Sequence, residues 1–130
     1  MVEDDELIRA AREVAKNAYS PYSKYRVGAA VKFCGAAQIF TGCNVENASY
    51  GLTICAERAA ICAGISAGCA QIEKIAIAVV DAHGNPTKAF MPCGACRQFI
   101  AEFSDDKTCV IVDNKHTWLL RELLPVSFGV

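Results

Sequence analysis

The chain has 130 residues, 53% of them hydrophobic, and a formal net charge of -1. That size fits one domain, residues 1–130, with a core of its own, and no run of about 18 apolar residues marks a membrane span. No cluster of Lys and Arg offers the phosphate-binding surface a nucleic-acid partner requires, so neither membrane nor nucleic acid is expected as a partner.

The first residues, Met-Val-Glu-Asp-Asp-Glu, are acidic where a targeting peptide would be basic, which points to a cytoplasmic protein. Leu7, Ile8, Ala11, Val14, Ala15 and Ala18 recur at helical spacing and predict a helix from Asp4 to Tyr19, ended by Ser20-Pro21. Tyr25 to Phe33 and Gln38 to Gly42 read as a hairpin turning at Cys34-Gly35. Cys43 to Thr53 has no period and reads as a loop. Cys55 to Ala67 is an Ala-rich buried helix closed by Gly68. Lys74 to Val80 and Thr108 to Val112 are continuous apolar runs, as in strands covered on both faces. Between them lie a turn at Asp81-Ala-His-Gly-Asn-Pro and a second buried helix, Cys93 to Phe103. Thr117 to Leu124 reads as a terminal helix with Thr117 as its N-cap, stopped by Pro125. A hairpin followed by crossover units predicts an α/β fold, a mixed sheet with helices on both faces.

Eight cysteines are present. With a large core and no secretory signal, disulfides are not expected. Cys34, Cys43, Cys62, Cys69 and Cys109 read as buried thiols packing like small hydrophobes.

The other three have metal spacing. Cys93-Gly-Ala-Cys96 at a helix start aims two thiols one way, and Cys55-Ala-Glu57 adds a third thiol with a carboxylate beside it. Three protein ligands leave a coordination position for water, as in catalytic rather than structural zinc sites. His83 and His116 have no motif spacing and read as surface residues. Residues two apart in a helix lie about 200° around its axis. Cys55 and Glu57 can serve one site only if Cys55 stands at the helix tip. The tip's dipole, and Arg58 donating to the thiolates, would offset the charge of three sulfurs.

Cys-x-Glu followed by Pro-Cys-x-x-Cys is the zinc deaminase signature, with Cys in place of His. Beyond it, the chain resembles the small homotetrameric cytidine deaminases. The matching stretches are Tyr19-Ser-Pro-Tyr-Ser-Lys-Tyr-Arg-Val-Gly-Ala-Ala30, Gly42-Cys-Asn-Val-Glu-Asn-Ala-Ser-Tyr50, Cys55-Ala-Glu-Arg-Ala-Ala60, Pro92-Cys-Gly-Ala-Cys-Arg-Gln98 and Leu123-Leu-Pro-Val-Ser-Phe-Gly129.

The resemblance implies a three-layer α/β/α sandwich around a mixed, roughly five-stranded sheet. It also implies one Zn2+ per subunit on Cys55, Cys93 and Cys96. The activity implied is hydrolysis of cytidine and 2′-deoxycytidine to uridine and 2′-deoxyuridine with release of ammonia, a step of pyrimidine salvage. Zinc-bound hydroxide attacks C4 and Glu57 shuttles protons. Tyr25, where relatives more often carry Phe, stacks near the base. Asn44 and Glu46 hold the ribose 3′-hydroxyl, backbone groups around Ala56 contact the base, and Arg58 hydrogen-bonds the thiolates. Tyr50 and Phe128 enter a neighbouring subunit's site, so the homotetramer shares its active sites. The alternative within the same chemistry is a blasticidin-type aminonucleoside deaminase. A polynucleotide editor lacks its basic channel here, and a noncatalytic zinc module would not need Glu57.

Overall fold

The structure is a computed structural model and describes residues 2–87, 91–114 and 116–130. Helix α1 (Asp4–Ala15) is followed by strands β1 (Arg26–Phe33) and β2 (Ile39–Cys43), helix α2 (Ala56–Ser66), strand β3 (Ile72–Val80), helix α3 (Gly94–Glu102), strands β4 (Cys109–Val112) and β5 (His116–Leu119), and helix α4 (Leu120–Leu123). The five strands form one sheet in the order β2-β1-β3-β4-β5. Only β3 and β4 run parallel; the other pairs are antiparallel. Mixed pairing is what a hairpin followed by two crossovers gives, β2 to β3 through α2 and β3 to β4 through α3.

Strand periodicity sorts the core into two layers. Val27, Ala29, Val31 and Phe33 of β1, with Ile75, Ile77 and Val79 of β3, face α2 and α3, where they meet Ala60, Ile61 and Ile100. The alternate residues Ala30, Ala76 and Ala78 face α1 and meet Leu7 and Ala11. Large β-branched residues thus carry one face and alanines the other, so α1 lies unusually close to the sheet. A Cβ on Gly28 would stand 1.9 Å from the Ala11 carbonyl oxygen. Arg12 locks the layer: its Nε and Nη2 each donate at 2.7 Å to Asp113, buried just past β4. On the opposite face Gly42 does for α2 what Gly28 does for α1, since a Cβ there would meet the Ala60 nitrogen at 2.4 Å.

Three sequence expectations need correction. The first helix stops at Ala15, not Tyr19, because the chain turns away and Tyr19 pairs its backbone with Asn44 and Glu46. The terminal helix expected over Thr117–Leu124 forms only from Leu120 to Leu123, and its first part is strand: Thr117 and Trp118 pair with Ile111 and Val110 on the open edge of β4. A β-branched residue and an aromatic beside an unpaired edge gain a ladder that a short helix cannot match. Leu119 takes the position before α4, its N–H donating to Glu122 Oε1 at 2.8 Å, so Thr117 is not the cap. All eight cysteines are free thiols, but the five outside the motif are not buried; Cys34 and Cys62 are exposed and Cys43, Cys69 and Cys109 half-buried. No described helix is long and apolar enough to cross a membrane.

Candidate active site

Cys55 and Cys93 each stand one residue ahead of a helix in extended conformation, with φ, ψ of -76°, 153° and -70°, 171°. Each is the turning-in residue that the Cys55/Glu57 geometry demanded. Because α2 and α3 dock on the same sheet face and touch, their N-terminal tips converge. Cys96, in the first turn of α3, is buried, and the Sγ atoms of Cys55, Cys93 and Cys96 lie within 4.8 Å of one another. Tetrahedral zinc at about 2.3 Å from each sulfur needs sulfurs about 3.8 Å apart, a small contraction.

The charges of the cluster call for a cation. Hydrogen bonding from Cys96 and the nearby Arg58 push the Cys55 thiol down to about 5. The Cys96 thiol is pushed up, because it is the donor in that bond, is buried, and faces Glu57. Arg58 Nη2 donates to Cys55 Sγ at 3.3 Å and to the Thr53 carbonyl at 3.4 Å. Its Nε is buried without a hydrogen-bond partner among the described residues. Arg58 supports a thiolate at Cys55, and a dication would offset what pushes the Cys96 thiol up. The donor set therefore fits zinc, with no fourth cysteine or histidine in the group among the described residues.

Glu57 is 2% exposed and its carboxyl is pushed above the ordinary range, first by burial and then by the charge on Cys55. It opens on the same cleft as the three sulfurs, a space of about 260 Å3. The floor is Cys55, Ala56, Glu57, Cys93 and Cys96, all at helix tips; the walls are Val27 at the start of β1 and Ser23, Tyr25, Asn44, Glu46, Thr53 and Ile54 in the two loops flanking β1 and β2.

The polar wall residues are already partly engaged. Asn44 Oδ1 accepts the Val27 N–H at 2.9 Å, and its Nδ2 donates to the Tyr25 carbonyl at 2.9 Å. One amide hydrogen and one lone pair are left over. Glu46 Oε1 accepts the N–H groups of Tyr22 and Ser23 at 3.0 and 3.1 Å, and Oε2 accepts the Ser23 hydroxyl. These bonds hold the Glu46 carboxyl below its usual range.

Two residues from the sequence reading do not line this cleft. Tyr50 is 79% exposed and stacks edge-on against Tyr22 beside a neighbouring depression. Phe128 is 77% exposed, and its backbone N–H and C=O pair with the Gln98 side-chain amide at 2.9 and 3.0 Å. Ser23 and Gln98 are the residues that sequence reasoning passed over. Both lie inside matching stretches, but hydrogen bonds across 23 and 30 residues leave no mark in the chain order.

Comparison with known proteins agrees with this arrangement. Residues 1–116 match the family described as the cytidine and deoxycytidylate deaminase zinc-binding region. The chain is 43% identical over 121 residues to the cytidine deaminase of Mycobacterium tuberculosis, covering 92% of this chain and 85% of the relative. It is 41% identical over 128 residues to a probable cytidine deaminase of Dictyostelium discoideum, covering 96% and 83%. The crystal structure of cytidine deaminase from Burkholderia pseudomallei superposes with a TM-score of 0.86 at 35% identity, over 98% of this chain and 100% of that one. The chain belongs to the cytidine and deoxycytidylate deaminase zinc-binding family.

Proposed function

We propose that this chain is a cytidine deaminase, a hydrolase that converts cytidine and 2′-deoxycytidine to uridine and 2′-deoxyuridine with release of ammonia. The observation that carries the reading is the union of three sulfurs within 4.8 Å and a buried carboxyl in one cleft. Cys55, Cys93 and Cys96 would hold one zinc. When bound, zinc acts as a Lewis acid that lowers the pKa of a coordinated water.

Glu57 moves the protons. As water adds to C4 of the ring, Glu57 accepts a proton and delivers it to N3. It then carries the second proton of that water to the amine, the C4–N bond breaks, and ammonia leaves. One group serves as base and then acid, which favours a pKa nearer neutrality than a solvated carboxylate has. Burial supplies a shift in that direction. Arg58 keeps the sulfurs charged. Tyr25 offers a ring to the base, and the backbone around Ala56 offers hydrogen bonds to its edge. The amide hydrogen left on Asn44 and the lone pair left on Glu46 suit a single hydroxyl, which donates to one and accepts from the other. That supports the sugar 3′-hydroxyl as their ligand.

The chain acts as one domain within a homotetramer, with Tyr50 and Phe128 reaching into neighbouring clefts. The support is that two large rings are each more than three-quarters exposed in the subunit. It works in the cytoplasm in pyrimidine salvage, a setting that eight free thiols suit.

The test is turnover of cytidine and of blasticidin by purified protein, followed by ultraviolet absorbance, with zinc quantified in the same sample. Cytidine turnover with one zinc per chain is expected; a zinc-loaded protein that deaminates blasticidin and not cytidine would overturn the assignment.

A further inference from the structure

The Ser20–Tyr25 loop has an unusual anchor. Lys24 takes a left-handed conformation, φ 69°, which is strained for a residue with a Cβ. The turn is bridged on both sides: Lys24 N–H donates to the Ser20 carbonyl at 3.0 Å, and Tyr25 N–H donates to Ser23 Oγ at 3.0 Å. Ser23 thereby has its hydroxyl oxygen tied to the Tyr25 backbone and its hydrogen committed to Glu46 Oε2.

A carboxylate has about four acceptor sites, two on each oxygen. In Glu46, the Tyr22 and Ser23 N–H groups take both sites on Oε1 and the Ser23 hydroxyl takes one on Oε2. A single site remains, on Oε2, and its direction is set by the Ser23 hydroxyl. Ser23 lines the same cleft.

We propose that Ser23 is a positioning residue for sugar recognition, aiming the last acceptor site of Glu46 at a hydroxyl of the substrate. This rests on the reading of Glu46 as the sugar-hydroxyl ligand. Ser23 itself touches no reacting atom. Its removal weakens binding through Glu46 and leaves the chemistry at Glu57 alone.

The experiment compares wild type, Ser23→Ala and Ser23→Thr on cytidine and on 3′-deoxycytidine, with binding of uridine and 3′-deoxyuridine measured by calorimetry. Losing one hydrogen bond to a charged group predicts that Ser23→Ala raises KM for cytidine roughly 10- to 150-fold. Its kcat should stay within about twofold, because a group acting on binding alone moves KM only. Uridine binding should weaken in parallel. The same variant should leave KM for 3′-deoxycytidine and binding of 3′-deoxyuridine unchanged, and Ser23→Thr, which keeps the hydroxyl, should restore cytidine binding. The acid side of the pH profile of 1/KM should move to higher pH in Ser23→Ala, because Glu46 loses a bond that favours its ionised form. Where alanine unfolds the loop, Ser23→Cys keeps the volume with a weaker donor and carries the same expectation. An unchanged KM for cytidine, or an equal loss on both substrates, overturns the role of Ser23 and leaves that of Glu46 standing. If wild type itself binds the two substrates equally, the sugar role of Glu46 falls and takes Ser23 with it.

Discussion

Replacing Glu57 by glutamine keeps the volume of a side chain that is 2% exposed and removes its ability to exchange a proton. General acid–base groups contribute about 10²–10⁴-fold, or about 2.7–5.4 kcal/mol of barrier. The upper part of that range is expected, because among the described residues the only other carboxylate lining the cleft is Glu46, whose oxygens are engaged with Tyr22 and Ser23. Stability should behave oppositely. In metal-free protein the folded-state pKa of Glu57 lies above its ordinary value of 4.5, so the folded state binds more protons than the unfolded one between those two values. The stability this confers is full below 4.5 and is lost as pH rises through the folded value. Glu57→Gln has no such loss, so its urea midpoint at pH 8 should equal or exceed that of metal-free wild type, whereas at pH 4 the two should converge. The assay is cytidine turnover with zinc content measured on the same protein, alongside urea melts of the chelated forms. A zinc-replete Glu57→Gln enzyme with turnover within tenfold of wild type would refute the reasoning.

Arg58→Ala should let the Cys55 thiol rise from about 5 toward its ordinary 9.0 and weaken zinc binding by about 10- to 100-fold, the usual effect of losing a group that supports a metal ligand; competition with a chromogenic chelator reads it, and unchanged affinity would dismiss Arg58. Arg12→Ala strands Asp113, whose side chain is 6% exposed, but Arg12 itself is 36% exposed. A cost of about 2–3 kcal/mol is expected, below that of a fully buried pair, and urea unfolding showing less than about 0.5 kcal/mol would mean that α1 is held by packing alone. Gly42→Ala places a methyl against the backbone one turn beyond Cys55. It should weaken zinc retention while the far-ultraviolet dichroism stays helical; equal zinc affinity would show that α2 yields without moving its tip.

Much of this was legible because the decisive signals are local. Apolar runs gave β3 and β4. The spacing within Cys55–Glu57 and Cys93–Cys96, together with the helical period, required tips rather than helix interiors, and that is what the backbone angles show. Where the reading failed, the deciding partner was distant in sequence. Thr117–Leu119 becomes strand only because β4 presents a free edge. The first helix ends at Ala15 because Tyr19 is captured by the Asn44–Glu46 backbone. The exposed cysteines failed for another reason: a small, apolar residue carries no sign of which way its element will face, and Cys62 shares α2 with the buried Ile61.

The cleft has a floor of helix tips seated on the sheet and walls made, apart from Val27, of two loops. Reactivity and admission are therefore housed in separate parts of the chain. Helix tips pinned from below have little freedom to drift, whereas loops on the outside can lengthen or exchange side chains at small cost. A lineage, or an engineer, can alter which molecules are let in by rewriting Ser20–Tyr25 and Asn44–Ile54, and leave untouched the apparatus that breaks the bond.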